Sequence, residues 1–152
     1  MNKSDIIAKI KEFEEAIQNR KSATKIAKQI ASLGENAINV IGQYFYEGGK
    51  SSDTDLWIYL FQEFHIKDYP IPSTEIRSWI EWSKKKYLDC REEYARQYKE
   101  VSEYIMQINF NNSSHRQTAV AKYQWLMKEA EKLCDEKKIE EIKKEIHSLQ
   151  AG

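Results

Sequence analysis

From Ser73 to Ile108 the chain contains no glycine and no proline, so nothing in its backbone chemistry interrupts a helix. Pro70 and Pro72 forbid an earlier start, and Ser73 or Thr74 can cap, with Glu75 in the first turn. The sequence therefore predicts one helix over 74–109. Its apolar and aromatic residues, Ile76, Ile80, Tyr87, Cys90, Tyr94, Val101, Tyr104, Ile105 and Ile108, recur at helical intervals and form one stripe. Such a rod is roughly 50 Å long. A compact domain of this size has a radius of gyration of only about 15 Å. The rod needs a partner of its own kind.

The residues that follow supply one. Asn109 to Ser113 are turn chemistry, and Ser114 with Gln117 fits a capping box. Val120, Tyr123, Leu126, Met127, Ala130 and Leu133 then make an apolar face. After Cys134-Asp135 it continues through Ile139, Ile142, Ile146 and Leu149. An antiparallel αα-hairpin is expected, its returning arm nearly as long as the outgoing one, with or without a break at Asp135.

Upstream, four shorter helices are expected. The first is capped by Ser4 and carries Ile6, Ile7, Ile10, Phe13 and Ile17. The second opens at Ser22 and carries Ile26, Ala27, Ile30 and Leu33 before Gly34. The third runs from Ala37 to Phe45 and stops at Gly48-Gly49; Gly42 within it marks a candidate close approach of a neighbouring helix. Ser52 to Asp55 open the fourth, with Leu56, Trp57, Tyr59, Leu60, Phe61 and Phe64. No window alternates with period two for long enough to make a strand. The expected fold is all-α, with a short-helix subdomain over 1–68 and the long hairpin over 69–152.

Ile26-Ala27, then Leu33-Gly34-Glu35-Asn36-Ala37, then Val40-Ile41 set a rhythm of helix, tight turn and immediate new helix. Over residues 5–65 this resembles the hairpins of HEAT-like repeats, and Ser22 to Asp53 gives a period of about thirty residues. The resemblance implies stacked helical hairpins in the first half; an irregular bundle of four helices is the alternative.

Composition narrows the function classes. Formal net charge is zero, which gives no global case for nucleic acid or an acidic membrane. Two cysteines far apart, and a polar Met-Asn-Lys-Ser-Asp start, point to a soluble protein of the reducing cytoplasm. The apolar charge-free run Asn36 to Tyr46 is too short to span a bilayer. Lysine outnumbers arginine and isoleucine outnumbers leucine, the mark of an AT-rich genome such as that of a low-GC bacterium or its phages. His65, His115 and His147 are scattered, and Cys90 and Cys134 have no ligand-spaced companion, so no metal or cofactor is implied. Adjacent carboxylates such as Glu92-Glu93 and Glu140-Glu141 cannot share a helix face and read as solvated surface. Nothing calls for an enzyme.

Two binding readings remain. The first is a non-enzymatic adaptor or inhibitor that takes a protein partner. Trp57, Trp79, Trp82 and Trp125 are a heavy aromatic load, and Tyr69, Ile71, Trp79 and Trp82 around the proline linker are the candidate contact residues. Ser83, Gln97 and Thr118 leave room for pairing with a second copy. The alternative is nucleic-acid binding. Lys21, Lys25 and Lys28 share one helix face, while Lys84, Lys85 and Lys86 precede Arg91 and Tyr98 on the long helix. Lysines would meet phosphates; Arg91 and the tyrosines would stack on bases.

Overall fold

A computed structural model describes residues 2–66 and 75–151. Every regular element among them is an α-helix: α1 (Lys3–Gln18), α2 (Thr24–Ala31), α3 (Asn36–Tyr46), α4 (Thr54–Glu63), α5 (Ile76–Gln107), α6 (Ser113–Lys132) and α7 (Glu136–Ala151). The protein is all-α. It divides into two compact units, Met1–Leu88 and Asp89–Gly152. The division falls inside α5, so the first turns of the long helix belong to unit 1.

In unit 1, α1 lies against α2 and α3, and α2 against α4. Ile6, Ile10 and Phe13 of α1, Ile30 of α2, Ile38 and Ile41 of α3, and Leu60 of α4 are fully buried. Trp57 sits at the centre, edge-on to Phe13 with ring centroids 5.1 Å apart and to Phe45 at 4.9 Å. Offset and edge contacts of this kind add to what burial alone contributes. The buried Glu14 fixes the loop ahead of α4: it accepts from the Ser52 backbone N–H at 2.9 Å, from the Ser52 hydroxyl and from the Trp57 indole N–H. Gly42 is where α3 meets α5, and an added Cβ would overlap the Ser83 carbonyl. The close approach expected at this glycine is real.

Unit 2 is the rest of α5 with α6 and α7. Val101, Leu126, Ala130 and Ile142 form its buried cluster, with Tyr94, Ile105, Tyr123, Met127, Ile139 and Ile146 packed around it. Its interior is partly polar: Gln97 and Glu129 are buried too. Gln97 donates to Glu93 at 2.9 Å, and Lys132 holds Glu129 at 3.0 Å. Arg96 bonds to Glu93, and with Gln97 it draws the Glu93 carboxyl down to about 2.

Three sequence expectations change here. The long helix is unbroken, but its return is not a matched rod. α6 has 20 residues against 32 in α5. The chain then turns at Cys134, whose φ of 53° lies in the left-handed region. Asp135 caps α7 by accepting from Lys138 N–H at 3.2 Å. α7 reverses along α6, bringing Leu149 and Gln150 beside Ser113, Arg116 and Gln117. An apolar face that runs on past a turn is compatible with continuation or reversal.

The buried face of α5 also differs in phase from the expected stripe. It follows Trp79, Ser83, Tyr87, Gln97 and Val101, taking in two polar residues that an apolar count passes over. Caps shift similarly. Asn2, not Ser4, caps α1, and Asn112 caps α6 by accepting from Ser114 N–H at 2.9 Å and His115 N–H at 3.2 Å. The α2 N-terminus has no side-chain cap, and Asp53 caps α4 as the sequence suggests.

Candidate functional site

Helical spacing builds a concave site in unit 2, walled by aromatic side chains. Tyr94 and Tyr98 are one turn apart on α5, and Val101 follows on the same side. Their rings stack with centroids 6.0 Å apart. Tyr123 faces them from α6, and Glu141, Ile142 and Glu145 from α7. With Ser102 these residues line a cleft of about 210 Å³. Ile142 and Val101 form its buried floor, while Tyr98 is about half exposed at 54%.

The electrostatics of the cleft are those of an aromatic box with an acidic rim. Burial, then the neighbouring Tyr98 and the Glu141 and Asp135 carboxylates, push the Tyr94 phenol up to about 12. Tyr123 is raised by burial and by Glu145. Lys138 sets its ammonium 5.2 Å from the Tyr94 ring centroid while pairing with Asp135 at 3.4 Å. Negative ring faces beside carboxylates favour cations.

The residues singled out from sequence fare unevenly. Tyr69 and Ile71 lie outside the described residues. Trp79 is a core side chain at 2% exposure, stacked on Phe61 with centroids 5.5 Å apart, so it presents no surface to a partner. Trp82 is half-buried, edge-on to both Phe61 and Trp79, with the Lys86 ammonium 5.2 Å from its ring centroid. α5 turns this side toward α4, which buries Trp79 and covers Trp82 in part.

The lysine run of α5 does not act as one patch. Lys84 pairs with Glu81 at 3.4 Å, and Lys86 covers Trp82. Lys85 and Arg91 are exposed. Tyr98 belongs to the acid-rimmed cleft, a poor surround for a phosphate backbone. Lys21, Lys25 and Lys28 stay exposed, and Lys25 and Lys28 line a shallow concavity with Ser22, Thr24, Gln29 and Ser32.

Sequence reasoning passed over Tyr123, Glu141 and Glu145 as site residues. The i,i+4 spacing of Glu141 and Glu145 was the available signal, but only the reversal at Cys134 brings it opposite Tyr94 and Tyr98. It also passed over Met106, 85% exposed, and Phe110, 52% exposed, at the α5–α6 turn. Among the described residues no group of three His, Cys, Asp or Glu side chains could hold a metal ion, and no helix is long and apolar enough to cross a membrane. No protein-family model, curated protein or solved structure matches the chain.

Proposed function

We propose that this chain is a non-enzymatic helical adaptor or inhibitor that binds a protein partner through the aromatic surface of unit 2. One observation carries the reading. Among the described residues the exposed large hydrophobic side chains are Tyr46, Tyr98, Met106, Phe110 and Trp125, and all but Tyr46 belong to unit 2. Exposed aromatic side chains are the usual anchors of protein interfaces. The α1–α3 and α2–α4 contacts support a reading of unit 1 as two stacked hairpins of HEAT-like kind, serving as scaffold. The free thiols of Cys90 and Cys134 support a cytoplasmic setting, and the codon-driven composition an accessory protein of a low-GC bacterium or its mobile elements.

Affinity recovery of the tagged chain from its native cells, beside a Phe110→Ser/Trp125→Ser variant of equal helicity, tests this reading. A stoichiometric protein retained by the wild type and lost by the variant is expected. Equal recovery by the two proteins would overturn the assignment to unit 2.

The second reading, an accessory subunit for nucleic acid, is favoured by the exposed Lys21, Lys25 and Lys28 face on α2. It predicts a salt-dependent mobility shift of single-stranded RNA that Lys25→Glu/Lys28→Glu abolishes. The protein-binding reading predicts no shift.

A further inference from the structure

We propose that the cleft formed by Tyr94, Tyr98 and Tyr123 receives an arginine side chain presented by the protein partner, its guanidinium against the rings and bonded to Glu141 and Glu145. This deepens the protein-binding reading and rests on it. The occupant follows from the chemistry of the walls. Tyr98 and Tyr123 supply aromatic walls beside Tyr94, whose ring already carries Lys138, and the apolar floor of Val101 and Ile142 accommodates methylenes. Glu141 and Glu145 stand one turn apart on α7 at the rim, and neither has an ion-pair partner among the described residues. Two carboxylates beside stacked tyrosines suit a planar fork of donors better than a point charge.

The chain already shows this preference at the edge of the cleft. The Lys138 ammonium lies over Tyr94 and is tied to Asp135, so one cation is accommodated there while Glu141 and Glu145 remain for another. An anionic or phosphate-bearing occupant would meet two carboxylates at the rim. A purely apolar side chain would leave those carboxylates to be desolvated without compensation.

The test uses the full chain with tyrosine rings labelled for NMR. It is titrated with a blocked Gly-Arg-Gly peptide, its citrulline counterpart and a blocked Gly-Lys-Gly peptide. Saturable shifts of the Tyr94, Tyr98 and Tyr123 rings are expected with the arginine peptide, weaker ones with lysine and none with citrulline. Glu141→Gln/Glu145→Gln, at exposed positions that leave helicity intact, is expected to weaken binding about ten-fold, as will high salt. Equal responses to arginine and citrulline, tighter binding of lysine, or an unchanged affinity in the double variant would each overturn the proposal. Arginine binding without Phe110-dependent protein capture would remove the partner reading and keep the guanidinium site. Protein capture without any tyrosine response would do the reverse.

Discussion

Trp57 in unit 1 and Trp125 in unit 2 carry the same side chain to opposite fates. Trp57 is fully buried, ringed by Phe13 and Phe45, with its indole N–H taken up by Glu14. Trp125 keeps 42% of its surface in water. Around them the units differ in the same sense. Unit 1 encloses Phe13, Phe45, Trp57 and Phe61, leaves Tyr46 outside, and places a buried carboxylate where three donors need it. Unit 2 has a smaller apolar cluster, seats Gln97 and Glu129 in its interior, and leaves Tyr98, Met106 and Phe110 outside. Hydrophobic side chains that folding could have buried, yet did not, are the ones open to a second role.

Substitutions in the two units should therefore differ sharply. The largest effect is expected from Gly42→Leu. The overlapping atom is the backbone carbonyl of Ser83, which cannot rotate away, so α3 and α5 must separate. A loss of about 3 kcal/mol or more is expected in urea unfolding. Phe110→Ser and Trp125→Ser in unit 2, whose rings are about half exposed, should each cost clearly less, about 1 kcal/mol. Next comes Glu14→Ala, which leaves the Ser52 N–H, the Ser52 hydroxyl and the Trp57 N–H without their acceptor. About 2–3 kcal/mol should be lost, visible as a lower urea midpoint at unchanged slope.

A pH effect should be largest in unit 2, although burial raises the Tyr44 phenol of unit 1 as well. The folded Tyr94 phenol sits at about 12, above its ordinary value of 10.0. A raised value favours the neutral form in the folded state. Its stabilising contribution is therefore complete below pH 10 and is lost as pH rises from there to about 12. Tyr123, raised in the same direction, adds to the loss. Alkaline unfolding followed by circular dichroism should be shallower in Tyr94→Phe over that window. The smallest effect is expected at Arg20, which follows α1 with φ of 54°. Arg20→Gly relieves left-handed strain but frees the unfolded chain, so a net gain of about 0.5 kcal/mol is expected in thermal unfolding.

How much of this was legible depends on which physical signal each feature leaves in the chain. The all-α fold and the unbroken α5 were readable, because apolar spacing and the absence of breakers act locally. Gly42 was readable as a close approach because a bare Cα inside a helix otherwise only costs stability. Ser83 and Gln97 were not readable as buried, since polar side chains enter a helix interface only when tertiary neighbours accommodate them. That shift in phase is also why Trp79 proves to be core rather than contact surface. The cleft was half legible: Tyr94 and Tyr98 share a face by spacing alone. Their carboxylate neighbours arrive only through the reversal at Cys134, which sequence periodicity leaves undetermined.

Native-state hydrogen exchange along α5 tests most directly the claim that one helix serves two separately organised units. Amides of residues 79–88 should open together with those of α1, α3 and α4. Those of residues 97–107 should open with α6 and α7, at a lower free energy set by the smaller, partly polar interior of unit 2. A single uniform opening free energy along α5, or greater protection in residues 97–107, would contradict the account.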